Sequence, residues 1–314
     1  MQPLARRAGL MSSSRYYRVM NRTYFSLRCT VVAIAVSALS TANAQIAKPF
    51  LWELSKEGKT VTLFGSLHVG KPDFYPMPEV VIKRFEDATV LGVEADVTLP
   101  ETQQACTKLA ATDEKLENML SGDDFAALNG YIKASNLPES TVSKRKLWMV
   151  NLALVGAELN QLGVDFARGL DIVFLREAKA AKKRVVEVEG GAAQCGALAG
   201  ASTAETTAAL TRFLAAVRQN RMEKRLDQML ISYRAGDGPS LNKVVVEEFG
   251  DSKEGMLAKQ RIFDNRHPAM AEKIDSFFKS SERHFVVIGV GHMFGDNNLL
   301  EALVKRGVIV KRVE

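Results

Sequence analysis

Short apolar runs alternate with amphipathic stretches along this chain, a pattern that predicts strands separated by helices. Buried strands are predicted at residues 60–67, 89–93, 184–188, 284–290 and 308–313. Helices are predicted at residues 78–87, over much of 113–163, and at 169–183, 202–234 and 298–306. Strand–helix–strand order at both ends of the chain, around a helical middle, predicts an α/β fold with a mixed or parallel sheet.

One short motif occurs at the end of two of the predicted strands. The first strand ends in Gly65-x-x-His68, and the fourth ends in Gly289-x-x-His292. Open α/β sheets place their sites at the carboxyl ends of strands. A glycine would let the backbone turn sharply there, so that the imidazole projects into a crevice. A single histidine at a strand end is more often a satisfied core residue, but the shared placement favours a functional pair.

Acidic side chains follow two other predicted strands. Glu94 ends the strand at 89–93 and Glu189 follows the strand at 184–188, where carboxylates can bind a metal or transfer protons. The alternative is that both are surface acids. Asp171, at the start of a helix after Gly169, is interpreted as a residue that favours the helix N-terminus rather than as a catalyst. Arg266 could bind a carboxylate or an oxyanion, or be a solvated helix charge.

No nucleophile motif accompanies these residues. The sequence contains no G-x-S-x-G, H-E-x-x-H or G-x-x-x-x-G-K-[ST] pattern. If the protein is an enzyme, water activated by a metal or a carboxylate is therefore the expected attacking group.

The N-terminal 44 residues are typical of an export signal. An apolar run at 30–40 follows arginines and precedes Ala42-Asn43-Ala44, an A-x-A cleavage pattern. A membrane anchor is the alternative, but spanning a bilayer takes about 20 apolar residues and this run is roughly half as long. We therefore predict a cleaved signal over residues 1–44, with Met20 as a more ordinary start, and a periplasmic or secreted domain at 45–314.

Removal of this segment changes the charge of the protein. The chain has 42 basic and 36 acidic side chains. Six of the basic ones are arginines within residues 1–44, which contain no acidic residue. The remaining domain has no net formal charge, so nothing in its charge points to nucleic acid or to anionic lipid. No second apolar run is long enough to span a membrane.

Two cysteines remain after removal of the segment, Cys106 and Cys195. In an oxidising compartment they could form one disulfide, and the alternative is two separate buried thiols. No Cys/His spacing typical of structural zinc is present.

The chain resembles the TraB/PrgY/GumN family, whose relatives include TIKI-type metalloproteases. The similar stretches occur in the family's order across nearly all of residues 45–314: LFGSLHVG (63–70), VLGVEAD (90–96), GLDIVFLREAKAAKKRVVEVEG (169–190), NRHPAM (265–270), FVVIGVGHMFG (285–295) and LLEALVKRGVIVKRV (299–313). Two departures stand out. His267 replaces the Asn that commonly follows the arginine, and the turn after the second motif is Gly295-Asp-Asn-Asn.

The resemblance implies two related halves that form a central mixed sheet, with both GxxH motifs and a glutamate facing one cleft. It implies that His68, His292 and Glu94 are ligands of a divalent metal ion. Glu94, Glu189 and Arg266 are then the candidate catalytic residues. Family members differ in function, so the substrate is not fixed by the resemblance.

Three hypotheses follow for function. The first is a metal-dependent hydrolase acting on a peptide, ester or amide bond. The second is a protein that binds a peptide or a small molecule such as haem in the same cleft without turnover. The third is an interaction protein in which the GxxH turns are merely structural.

Overall fold

A computed structural model describes residues 46–313. The predicted export segment, residues 1–44, lies outside the described residues. The strands are β1 Leu51–Lys56, β2 Lys59–Ser66, β3 Val90–Val93, β4 Arg184–Glu187, β5 His284–Gly289 and β6 Ile309–Arg312. The α-helices are α1 Glu79–Asp87, α2 Pro100–Ala110, α3 Leu116–Met119, α4 Gly122–Ala134, α5 Glu139–Val142, α6 Leu147–Gln161, α7 Leu170–Ala180, α8 Gly191–Ala199, α9 Thr203–Arg218, α10 Arg221–Ala235, α11 Gly238–Phe249, α12 Lys253–Lys259, α13 His267–Phe277 and α14 Leu299–Lys305.

Within residues 46–313 the strands form one mixed sheet in the order β4-β3-β5-β2-β1-β6. The pairs β3–β4, β3–β5 and β2–β5 are parallel, whereas β1 is antiparallel to both β2 and β6. The predicted α/β class with a mixed sheet surrounded by helices is confirmed. Strand β5, from the end of the chain, lies between β2 and β3 from its beginning. The carboxyl ends of β2, β3 and β5 therefore meet at one edge of the sheet.

Two apolar cores stabilise this arrangement. The larger core covers the sheet and includes four phenylalanine rings with neighbouring centroids 5.0–6.0 Å apart, from Phe64, Phe85, Phe174 and Phe285. Burial of each such ring contributes about 1.5–3 kcal/mol to the folding free energy. The smaller core lies between α4, α6 and α9 and includes Leu128, Leu154 and Leu210. The helical middle of the chain thus has a core of its own beside the sheet.

Side-chain caps begin two of the helices. The Ser121 hydroxyl accepts a hydrogen bond from the backbone N–H of Asp124 at the start of α4. Ser202 and Glu205 form a capping box at the start of α9. The prediction of one helix over 202–234 is wrong, because Asn220 has a left-handed backbone (φ 51°) that separates α9 from α10. Strand β1 is an element that the apolar pattern did not predict.

Candidate active site

The two GxxH strands are neighbours in the sheet and carry their histidines to the same edge. Ser66 of β2 pairs with Gly289 of β5, so the segments that follow leave the sheet side by side. The buried hydroxyl of Tyr233 on α10 donates a hydrogen bond of 2.6 Å to the carbonyl of Gly65. This contact fixes the carboxyl end of β2 against the helical layer.

The glycines of the two motifs are required for space rather than for an unusual backbone. Gly289 has φ −52°, a value that any residue adopts. A Cβ atom on Gly289 would lie 3.0 Å from Nε2 of His68 and 3.1 Å from Oε1 of Glu94. A Cβ on Gly65 would lie 3.0 Å from side-chain atoms of Phe50 and Val290. The predicted reason, a sharp glycine turn, is therefore wrong at these two positions.

Glu94 follows β3, and its carboxylate is the centre of the site. The side chain is buried, and Oε1 accepts a hydrogen bond of 2.5 Å from the backbone N–H of Gly289. Oε2 accepts from Nη2 of Arg266 at 3.1 Å and from Nε2 of Gln194 at 3.0 Å. Burial opposes ionisation of this carboxyl, but the adjacent imidazoles, the guanidinium and the Gly289 N–H lower the pKa of Glu94 to about 2. Glu94 is therefore ionised at neutral pH.

The two motif histidines flank this carboxylate. Nε2 of His68 lies 3.8 Å from Oε1, and Nε2 of His292 lies 3.9 Å from Oε2. The prediction that His68, His292 and Glu94 face one cleft agrees with this geometry.

His68 is held by an aspartate on the other side of its ring. Nδ1 of His68 lies 2.8 Å from Oδ2 of Asp171, in the first turn of α7. Helix α7 approaches this closely because Gly169 precedes it, and a Cβ there would lie 2.4 Å from the carbonyl oxygen of His68. Desolvation lowers the pKa of His68, but the Asp171 hydrogen bond and the charges of Asp171 and Glu94 raise it to about 9. The interpretation of Asp171 as a simple helix N-terminal acid missed this contact.

His292 is held by a second histidine. Nδ1 of His292 lies 3.0 Å from Nε2 of His267, and Nδ1 of His267 lies 2.7 Å from the carbonyl oxygen of Asn297. Because that carbonyl can only accept, Nδ1 of His267 carries a proton, and His267 accepts from Nδ1 of His292. Desolvation lowers the pKa of both rings, that of His292 to about 3. His292 is thus neutral, with the lone pair of Nε2 directed toward Glu94.

Arg266 and Glu189 form a bidentate ion pair behind Glu94. Nε of Arg266 donates to Oε1 of Glu189 at 2.8 Å, and Nη2 donates to Oε2. The remaining nitrogen, Nη1, donates to the carbonyl of Ile262 at 2.7 Å. Both side chains are nearly buried, so Arg266 is not a solvated helix charge. Although desolvation opposes it, Glu189 and Glu94 raise the pKa of the guanidinium.

A disulfide joins Cys106 of α2 to Cys195 of α8, with their Cα atoms 5.4 Å apart, and it confirms the predicted pairing. Helix α8 also carries Gln194, whose amide binds Glu94. The disulfide therefore fixes the helix that provides one of the donors to the central carboxylate.

The donors of this site suit a divalent metal ion chemically. Metal-bound histidines commonly donate the other ring N–H to a carboxylate or a further acceptor, as Nδ1 of His68 and of His292 do here. The separations of 3.8 and 3.9 Å are nevertheless wide. Residues 46–313 contain no ready-made group of three His, Cys, Asp or Glu side chains able to hold a metal ion. The donors thus fit an ion in chemical type, and Oε1 of Glu94 accepts one hydrogen bond whereas Oε2 accepts two.

His284 lies away from the site. Its ring stacks on Phe277 with centroids 4.5 Å apart, and Nδ1 contacts the carbonyl of Glu282. His284 is thus a core histidine whose ring is packed and hydrogen-bonded, as a single histidine at a strand more often is.

Comparison with known proteins matches the chain to one family. The model of the TraB/PrgY/gumN family covers residues 50–312. The uncharacterized protein YbaP of Escherichia coli is 28% identical over 77% of this chain and 86% of its own length. Metalloprotease TIKI1 is 23% identical in Xenopus tropicalis (86% of this chain, 64% of the relative) and 20% in Danio rerio (83% and 62%). No solved structure gave a significant match.

Proposed function

The chain belongs to the TraB/PrgY/gumN family, and from that premise we propose that it is a metal-dependent hydrolase of a peptide, ester or amide bond. The observation that carries the proposal is an ionised, buried carboxylate with one imidazole Nε2 on either side of it. The similarity to metalloprotease TIKI1 supports the same reaction class, although the identity is low.

His68 and His292 would hold the ion through Nε2, together with Oε1 of Glu94. Such an ion supplies a water of lowered pKa and polarises the carbonyl that is attacked. Asp171 and His267 keep the two rings oriented by binding their Nδ1 atoms. With Nε2 as a ligand, the His68 ring would be neutral, and the Asp171 carboxylate would accept its Nδ1–H.

Glu94 accepts the proton of the attacking water in this proposal. Its pKa of about 2 makes it a weak base, so the acidity of the water would have to come mainly from the ion. For Glu189 and Arg266, predicted as catalytic residues, the contacts favour a positioning role in this proposal. Both oxygens of Glu189 bind Arg266, and the donors of Arg266 are directed to Glu189, Glu94 and the Ile262 carbonyl. In this proposal Glu189 holds Arg266, and Arg266 positions Glu94.

We place the protein in the periplasm or outside the cell. The disulfide between Cys106 and Cys195 supports an oxidising compartment. In residues 46–313 no helix has the length and apolar character needed to cross a membrane. The export segment stays a prediction from the sequence.

The proposal is tested by hydrolysis of neutral p-nitrophenyl esters and blocked peptide anilides. The purified wild type should release product, and the His68→Ala/His292→Ala double variant should lose the activity. His284→Phe is a control, since it changes a buried histidine outside the site and keeps an aromatic ring on Phe277. Equal rates in the wild type and the double variant would overturn the proposal.

A second candidate function is binding of a small molecule without turnover. It is favoured by a large, mainly apolar cavity that adjoins the site. Stoichiometric ligand binding with no product, in a protein loaded with divalent metal, would support that candidate over the hydrolase.

A further inference from the structure

The active site opens into a cavity of about 680 Å³. His68, Glu94, Arg266, Gly289 and His292 line one part of it. Cavities of about 300–1,000 Å³ are typical of sites for small organic ligands. This one is much larger than an attacking water and a carbonyl require, so most of its volume faces some other part of a ligand.

Charge is confined to one end of this cavity. Among the described residues that line it, the ionisable side chains are His68, Glu94, Arg266 and His292, which contact one another as described above. The rest of the wall is uncharged. Thr102, Gln103 and Thr107 of α2 are polar, and the larger share is apolar, including Trp148, Met149, Leu198, Met229, Val245 and Phe263. A charged group placed along this wall would be desolvated without a partner, which is costly.

The mouth of the cavity is apolar as well. Val97 and Leu152 line it and are 41% and 40% exposed. A second cavity of about 290 Å³ shares these residues with His68 and Glu94, and its lining adds Phe166, which is 41% exposed. An apolar surface therefore leads from solvent to the carboxylate. Methionines in the wall suit an unbranched, flexible chain, because their side chains adapt to irregular shapes.

Two buried donors in the lining have no protein partner. Nε1 of Trp148 and Oγ of Ser66 make no hydrogen bond within the described residues, and the two residues are only 7% and 1% exposed. Buried polar groups are nearly always paired, so these donors point to a ligand that accepts a hydrogen bond. A carbonyl oxygen is an acceptor of this kind.

We propose that the cavity binds the acyl chain of an uncharged ester or amide, with the acyl carbonyl at the charged end. An unbranched chain can pack against this apolar wall. A peptide would need hydrogen-bond partners for its backbone, which an acyl chain does not need. The inference rests on the proposed hydrolase function, because it identifies the substrate class of the same site.

Binding of N-acetyl-, N-hexanoyl- and N-decanoyl-glycinamide, measured by calorimetry on the purified protein, tests this inference. Each methylene that is buried should raise the affinity by roughly fourfold. Decanoyl has four more methylenes than hexanoyl and should therefore bind about 250-fold more tightly. Trp148→Phe should weaken all three by roughly fivefold through loss of the Nε1 donor, with the dependence on chain length unchanged.

Val245→Trp fills the cavity from α11, and Lys243→Trp is its control on an exposed position of the same helix. The first variant should weaken decanoyl binding by at least about tenfold and leave acetyl binding unchanged. The second should have no effect. Met149→Trp, from α6, repeats the test if Val245→Trp does not fold, as judged by circular dichroism.

An affinity that does not depend on chain length would overturn the inference. So would equal effects of Val245→Trp and Lys243→Trp, or binding of blocked apolar peptides in place of decanoyl-glycinamide. Failure of the proposed function gives a different result: binding that rises with chain length in a protein that hydrolyses no ester or amide. Binding without this dependence in an active hydrolase means that only the acyl inference is wrong.

Discussion

His68 and His292 follow neighbouring parallel strands and face opposite oxygens of one carboxylate, yet their surroundings differ. The His68 side chain is 48% exposed, contacts the Asp171 carboxylate and has a pKa of about 9. The His292 side chain is 3% exposed, contacts the neutral imidazole of His267 and has a pKa of about 3. The same motif thus provides a half-exposed, charged group on one side of the carboxylate and a buried, neutral group on the other. Burial sets the low pKa of His292, and the Asp171 carboxylate on Nδ1 sets the high pKa of His68.

Both histidines face the carboxylate of Glu94, so its removal should lower the hydrolysis rate more than any other change. Glu94→Gln should lower the hydrolysis rate by about a thousandfold, since the base and one ligand atom are lost. Glu187→Gln is the matched control. Its carboxylate accepts a hydrogen bond from the backbone N–H of Asp96 but does not line the cavity. Equal losses of hydrolysis rate in the two variants would contradict a specific role of Glu94. They would mean that loss of any carboxylate near β3 and β4 lowers the rate.

Single alanine substitutions of the two histidines should separate their structural roles. His292→Ala should cost about 3 kcal/mol of unfolding free energy, because it leaves a cavity and an unpaired His267 in the interior. His68→Ala should cost less than about 1 kcal/mol, since half of that side chain is in solvent. Urea unfolding measures both values. A reversed order would contradict the assignment of His292 as the interior anchor.

Asp171→Asn should change the titration of one histidine only. In the wild type the His68 resonance should titrate near pH 9, and in the variant close to the ordinary value of about 6.5. Because the folded pKa is raised, this contact stabilises the protein fully below about pH 6.5 and is lost as the pH rises toward 9.

The resonance of His292 should not titrate above pH 4 in either protein. Nuclear magnetic resonance of ¹⁵N-labelled histidine follows both rings. A changed pKa of His292 in the variant would show that the titrations of the two histidines are coupled.

The smallest effect is expected where the chain departs from the family pattern. His267→Asn introduces the common family residue, whose amide oxygen can accept the Nδ1–H of His292. It should therefore cost about 1 kcal/mol in urea unfolding and preserve hydrolysis. His267→Phe keeps the ring but removes the acceptor, so it should also reduce the activity. Equal activity in these two variants would exclude a role for the acceptor.

The sequence predicted the residues that strand ends bring together, and it missed most of their partners. His68, Glu94 and His292 were predicted because the carboxyl ends of parallel strands meet at one edge of a sheet. Asp171, Gln194 and His267 reach the site through helices whose approach depends on tertiary packing, which no local pattern encodes.

Local conformation accounts for the other differences. The left-handed backbone at Asn220 interrupts a stretch that reads as one continuous helix. The sequence pattern indicates that the glycines of the two motifs are needed for backbone freedom. In the structure they are needed because there is little space for a side chain. Both distinctions depend on coordinates rather than on periodicity.

The metal content of the purified protein tests the central claim most directly. The wild type and the His68→Ala/His292→Ala variant would be dialysed against the same low concentration of zinc, and bound metal measured by mass spectrometry. The account predicts one ion per wild-type chain and none in the variant, with His284→Phe behaving as the wild type. Equal metal in the wild type and the double variant, or none in the wild type, would contradict it.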